Sequence, residues 1–165
     1  KPNALRFRFG DPSPGFYDAL CGPYPEGVAG GDFVLRRADG IWAYQLAVVV
    51  DDANANISQV IRGDDLLAST PRQIALYRAL DRPVPSFAHV GLVLDAGGQR
   101  MATRDGATSI ASLRRAGRSA QQLIGELACS LGLTESNAPI RAEELISSFE
   151  LSKIQRSPFT WKSRG

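Results

Sequence analysis

Tyr44 and Arg62 together could hold an amino acid. An arginine directly before Gly63-Asp64-Asp65 can offer a bidentate fork to a carboxylate, and a tyrosine hydroxyl beside it can bond an ammonium or a carboxylate. The same two residues also read as a core tyrosine and a structural arginine paired with Asp64 or Asp65, and the local sequence leaves both readings open. A second candidate is "GGQRMATRDGATS", Gly97 to Ser109, with Arg100 and Arg104 set among glycines. Such a loop can close over phosphates and stabilise charge that develops in a transition state. By itself it also fits a plain hairpin-like turn. The carboxylate pairs Asp51-Asp52 and Asp64-Asp65 could bind a metal, but aspartates are common turn formers after strands. With no further ligand cluster in sight, no metal is assigned. His89, the single histidine, lies in an apolar strand and reads as a hydrogen-bonded core residue, without a serine or cysteine partner for a catalytic triad. Cys21 and Cys129 have no basic neighbour in sequence to favour a reactive thiolate.

The elements that must carry these residues alternate. "ALRFRF" (Ala4–Phe9) alternates in polarity and reads as a strand. "GDPSPG" and "CGPYPEGVAGG" are loop-rich. "DFVLRR" (Asp32–Arg37), the turn "ADG" and "IWAYQLAVVVDD" (Ile41–Asp52) read as two strands with a tight connection, the second buried on both faces. This puts Tyr44 and Arg62 on neighbouring strands, Arg62 in "ISQVIRG" (Ile57–Gly63). "STPRQIALYRAL" (Ser69–Leu80) reads as a helix, with Thr70 as N-cap, Pro71 at the first helical position and Gln73 completing a capping box. "FAHVGLVLD" (Phe87–Asp95) reads as one buried strand. Strand, helix and strand in that order make a βαβ crossover, hence part of a parallel sheet, where ligands bind beyond the carboxyl ends of the strands. Helices are expected at roughly 108–117, 119–131 and 141–148, followed by an irregular tail.

The 165 residues are 44% hydrophobic and 22% charged, enough for one real core. No apolar run is long enough for a transmembrane helix, and the first residues lack the apolar core of a signal peptide. Two cysteines are too few for a disulfide framework or a zinc site, so a reducing, cytoplasmic setting is expected. Net charge is +2, unevenly spread: residues 100–165 hold ten Lys and Arg against six Asp and Glu. The densest basic stretch, "LRRAGR" (Leu113–Arg118), suits a polyanion such as RNA or a solvated helix face.

From Asp32 to Ser109 the chain closely resembles class I aminoacyl-tRNA synthetases of the glutamyl type, with "YQLAVVVDD…VIRGDDLL…TPRQIALYRAL" the most specific run. "ELISSFELSKIQRSPFTW" resembles the helical tail that ends the glutamyl-Q tRNA(Asp) synthetases, so the resemblance extends over nearly all of the chain. It implies an α/β fold: the second half of a Rossmann-type parallel sheet with an insertion segment, then a small helical region. Residues 1–31 correspond to the insertion, 32–107 to the second half of the nucleotide-binding fold, and 108–165 to a helical region that contacts the tRNA stem. The implied reaction is ATP-dependent activation of L-glutamate, with Mg²⁺, and its transfer to the queuosine base of tRNA(Asp).

Residue by residue, Tyr44 and Arg62 match the family's glutamate-binding tyrosine and arginine. Arg100-Met101-Ala102-Thr103-Arg104 matches its second ATP signature, where Arg100 and Arg104 would contact ATP. Two departures bear on activity. The family's N-terminal half, with the first ATP signature and a zinc cluster, has no counterpart here, so no zinc is expected in this chain. Thr103 stands where the family has an ATP-contacting lysine. The resemblance therefore implies a chain that is inactive without that half, and that associates with it or with itself through apolar surface left open. The alternatives are a non-catalytic truncated homologue that binds tRNA or glutamate, and a fragment of a glutamyl-tRNA synthetase.

Overall fold

The computed structural model describes residues 3–10, 12–101 and 109–161, which divide into two compact units at His89/Val90. In the first unit, β1 (Leu5–Phe7) pairs antiparallel with β4 (Phe33–Arg36), Phe7 opposite Phe33. β2 (Phe16–Asp18) and β3 (Gly22–Tyr24) form a hairpin at one side of a four-stranded sheet of order β3-β2-β6-β5. β5 is Gln59–Gly63 and β6 is Ser86–Val90, so Arg62 sits near the carboxyl end of its strand as the sequence predicts. β5 and β6 are hydrogen-bonded neighbours joined by a 3₁₀ turn (Asp64–Ser69) and a helix, α2 (Thr70–Ala79), the expected crossover. β2 pairs parallel with β6, Asp18 opposite Phe87.

Residues 44–54 depart from expectation. They form a helix, α1 (Tyr44–Asn54), where the apolar run reads as a strand. Three consecutive valines favour a strand on local propensity, but a short apolar run does not fix its own period. Packing decides it here. Val49 is fully buried against Leu76 and Tyr77 of α2, and Leu46 and Ala53 pack on the same cluster at helical spacing. The tight turn before it is present: Gly40 N–H donates to Arg37 O, and Gly40 adopts φ +88°, which glycine tolerates without strain. Asp51 and Asp52 therefore lie inside a helix, not after a strand.

The capping of α2 also differs. Ser69 precedes the helix, and Thr70 already has helical angles because the 3₁₀ turn runs directly into it. No side-chain cap forms; the Thr70 hydroxyl and the Gln73 amide are used elsewhere, Gln73 Nε2 donating to Gln45 Oε1 at 2.8 Å. Pro71 does occupy the first turn, where its missing N–H costs no hydrogen bond.

In the second unit, the run expected as one strand is broken. β6 ends at Val90 and β7 (Val93–Leu94) belongs to a different sheet, paired parallel with β8 (Phe159–Thr160). The break falls at Gly91, where a Cβ would lie 2.5 Å from Arg156 O and 2.8 Å from Ser157 O. Among the described residues three α-helices follow: α3 (Ile110–Arg115), α4 (Ala120–Ser130) and α5 (Ala142–Ile146). Ser119 and Gln122 form a reciprocal capping box on α4. A Cβ at Gly125 would overlap Ala138 O, so only glycine lets the following chain lie against α4.

Candidate amino-acid-binding site

Arg62 is placed by three elements of the first unit. β5 brings it alongside β6, where Phe87 and His89, two residues apart, share one face. The guanidinium lies over the Phe87 ring, Cζ 5.4 Å from its centroid. Nε donates to His89 Nε2 at 3.0 Å, and Nη2 donates to the Thr70 hydroxyl at 2.8 Å. Tyr44, the first residue of α1, lies close enough for its hydroxyl to act on the charge of the same guanidinium. The structure thus brings Tyr44 and Arg62 together, although Tyr44 comes from a helix end and not from a neighbouring strand. Tyr44 is 54% exposed, so this end of the cluster opens to solvent while the other end is buried.

Burial lowers the Arg62 pKa from its ordinary value, and Tyr44 and Asp52 act against that shift. Arginine stays charged throughout. Tyr77 shares the neighbourhood: burial raises its hydroxyl pKa, Asp52 raises it further, and Arg62 partly offsets both.

Behind Arg62 the network continues inward. His89 and Asp18 are fully buried, with His89 Nδ1 2.5 Å from Asp18 Oδ2. Asp18 Oδ1 accepts from the backbone N–H groups of Leu20, Cys21 and His89 at 3.0, 2.8 and 3.1 Å. Burial raises the pKa of this carboxyl. The bonds from Cys21, from the His89 ring and backbone, and from Leu20 outweigh it, and the net direction is downward. A depressed folded-state value stabilises the fold above the unfolded value, about 3.9, and that stabilisation is lost as pH falls through the folded one. Denaturation midpoints measured from pH 6 downward should therefore drop more steeply for the native chain than for Asp18→Asn, which has no carboxyl to protonate. Equal slopes would remove Asp18 from the acid limb.

His89 is the hydrogen-bonded core residue that the sequence suggests. Asp18 and Thr70 were not legible as parts of this site. Asp18 ends a three-residue strand with no local mark of its partner 71 positions away, and the Thr70 pattern points to a helix cap.

The phosphate-loop candidate lies partly outside the described residues. Ala102, Thr103 and Arg104 fall in the undescribed 102–108. The start of the loop is described. Asp95 Oδ1 accepts from Gly97 N–H and Gln99 N–H at 2.8 and 2.9 Å, closing a tight turn, and Gly98 takes φ +76°. Arg100 then bridges antiparallel to Leu94, and Met101 N–H donates to Val93 O at 3.0 Å. The hairpin reading and the loop reading are thus compatible: a hairpin on β7 leads into the basic segment. Among the described residues no group of three or more His, Cys, Asp or Glu is placed to hold a metal ion, and no helix is long and apolar enough to cross a membrane.

A family described as tRNA synthetases class I (E and Q), catalytic domain, matches residues 1–163. The chain belongs to that family. Among class I synthetases in the curated proteins, the glutamyl-Q tRNA(Asp) synthetase of Symbiobacterium thermophilum is 52% identical over 160 residues, covering 96% of this chain and 49% of that protein. The one from Nocardia farcinica is 47% identical over 165 residues, covering 100% of this chain and 51% of that protein. The chain thus spans about half the length of the curated class I relatives it matches. Among solved class I structures, the glutamate-tRNA synthetase of Elizabethkingia anophelis superposes with a TM-score of 0.78 at 25% identity, over 98% of this chain and 37% of that one. The glutamate tRNA ligase of Elizabethkingia meningosepticum, solved with its amino acid, gives the same TM-score at 24% identity. The mixed α/β architecture with a partly parallel sheet is that of the class I glutamyl-type synthetases.

Proposed function

We propose that the chain supplies the second half of a site that activates glutamate with ATP, in a ligase that transfers the glutamyl group to the queuosine base of tRNA(Asp). The observation that carries this reading is the convergence of the Tyr44 hydroxyl and the Arg62 guanidinium at a half-open position, with Arg62 held from behind. Arg62 has five N–H donors, and those not taken by His89 and Thr70 remain for a glutamate carboxylate beside the Tyr44 hydroxyl. In activation the α-carboxylate attacks the α-phosphorus of ATP and pyrophosphate leaves. The family resemblance assigns the phosphates to the cations of the Arg100–Arg104 segment, and Mg²⁺ would arrive with the nucleotide. The basic excess of residues 108–165 is the part we assign to tRNA, and a cytoplasmic setting follows from that partner.

A non-catalytic reading, binding of tRNA or glutamate alone, is favoured by one feature: Thr103 offers a neutral hydroxyl where the signature has a lysine. Glutamate-dependent ATP–pyrophosphate exchange separates the two. The chain alone should show none, and exchange should appear when the N-terminal half of the Symbiobacterium thermophilum relative is supplied as a second chain. Exchange by the chain alone overturns the need for a second half. No exchange in the mixture, with tRNA still bound, favours the binding reading.

A further inference from the structure

We propose that Asp18 and His89 are positioning residues that fix the orientation of Arg62 through a one-directional hydrogen-bond relay; this rests on the reading of Arg62 as a glutamate ligand. The direction follows from donor chemistry. Arginine can only donate, so His89 Nε2, 3.0 Å from Arg62 Nε, carries no proton and accepts. The imidazole proton then resides on Nδ1 and is donated to Asp18 Oδ2. Asp18 is held in place by three backbone N–H groups on its other oxygen, so it cannot rotate away. Thr70, bonded to Nη2, fixes a second point of the guanidinium plane, and the Phe87 ring supports its face. Two anchored nitrogens and a supported face set which N–H groups are left free of His89 and Thr70. The relay also places the buried carboxylate of Asp18 in line with the partly exposed guanidinium through the ring, so the buried charge is compensated.

The proposal makes a definite statement about Asp18→Asn. The amide oxygen introduced there would keep the three backbone bonds, which leaves the amide NH₂ facing His89 Nδ1. Nδ1 must then accept, the ring proton moves to Nε2, and Nε2–H confronts the Arg62 Nε–H. One isosteric change thus turns an attraction at Arg62 into a clash of donors. His89→Gln does the reverse. Its amide can donate toward Asp18 and accept from Arg62, keeping the polarity of the relay without a ring.

Two measurements test this. The ¹⁵N spectrum of the His89 ring in the unmodified chain should show a neutral imidazole protonated at Nδ1; a ring protonated at Nε2, or at both nitrogens, overturns the relay. In the two-chain exchange assay, Asp18→Asn and His89→Leu should raise the glutamate KM about tenfold with kcat changed by less than about threefold, while His89→Gln stays near the native KM. If Arg62→Ala raises the KM but Asp18→Asn and His89→Leu do not, the relay alone is wrong. If Arg62→Ala leaves the KM unchanged, the glutamate reading of Arg62 falls and the proposal with it.

Discussion

Arg62→Ala is expected to raise the glutamate KM of the two-chain exchange assay by about 10²–10³-fold, because truncating a hydrogen-bonded partner of a charge costs about 2–5 kcal/mol. Two losses add. The carboxylate of the ligand loses its fork, and the buried Asp18 loses the cation that answers it through His89. The second loss is visible without any ligand, as a lowered denaturation midpoint, because Asp18 stays buried while the cation facing it through His89 is gone. Arg62→Lys separates the terms, since it returns a charge but not the Nε donor or the planar fork. It should recover more of the stability than of the glutamate affinity. A KM unchanged in both variants would show that glutamate is held elsewhere.

Thr103→Lys is the complementary, gain-of-function case. On the proposed reading the segment matches the second ATP signature and lacks its main cation, and one preorganised transition-state donor is worth about 10²–10³ in rate. The substitution should therefore raise kcat for exchange by up to that factor and leave the glutamate KM nearly unchanged, because glutamate is assigned to the Tyr44–Arg62 pair. No rise in kcat would mean that Arg100 and Arg104 already supply the needed charge, or that the loop does not meet ATP. A rise in glutamate affinity instead would break the division of labour between the two segments.

Strands β5 and β6, their crossover and the later helices were legible from sequence, through apolar runs ended by Gly and Asp and through Pro71 in a first turn, while β3 lies in a stretch that reads as loop-rich. Tyr44 and Arg62 were legible as a possible pair. What failed did so where a distant partner decides. The valines of α1 look like a strand until α2 is placed against Val49. Thr70 looks like a cap until Arg62 takes its hydroxyl. "FAHVGLVLD" looks continuous until the tail presses on Gly91. Asp18 carries no signal at all, since its partner is far along the chain and reaches it only through the parallel pairing of β2 with β6.

The pairing of β7 with β8 has a temporal consequence. Leu94 and Thr160 are neighbours in space but 66 positions apart in the chain. Closing so long a loop carries an entropy cost that must be met before the contact returns anything. On the ribosome, β1 can find β4 and β5 can find β6 while later residues are still being made. β7 can close its local hairpin with residues 99–101, but its parallel edge finds β8 only once residues near 160 emerge. The segment that leads into the basic loop thus gains its second neighbouring strand only after residues near 160 have been made.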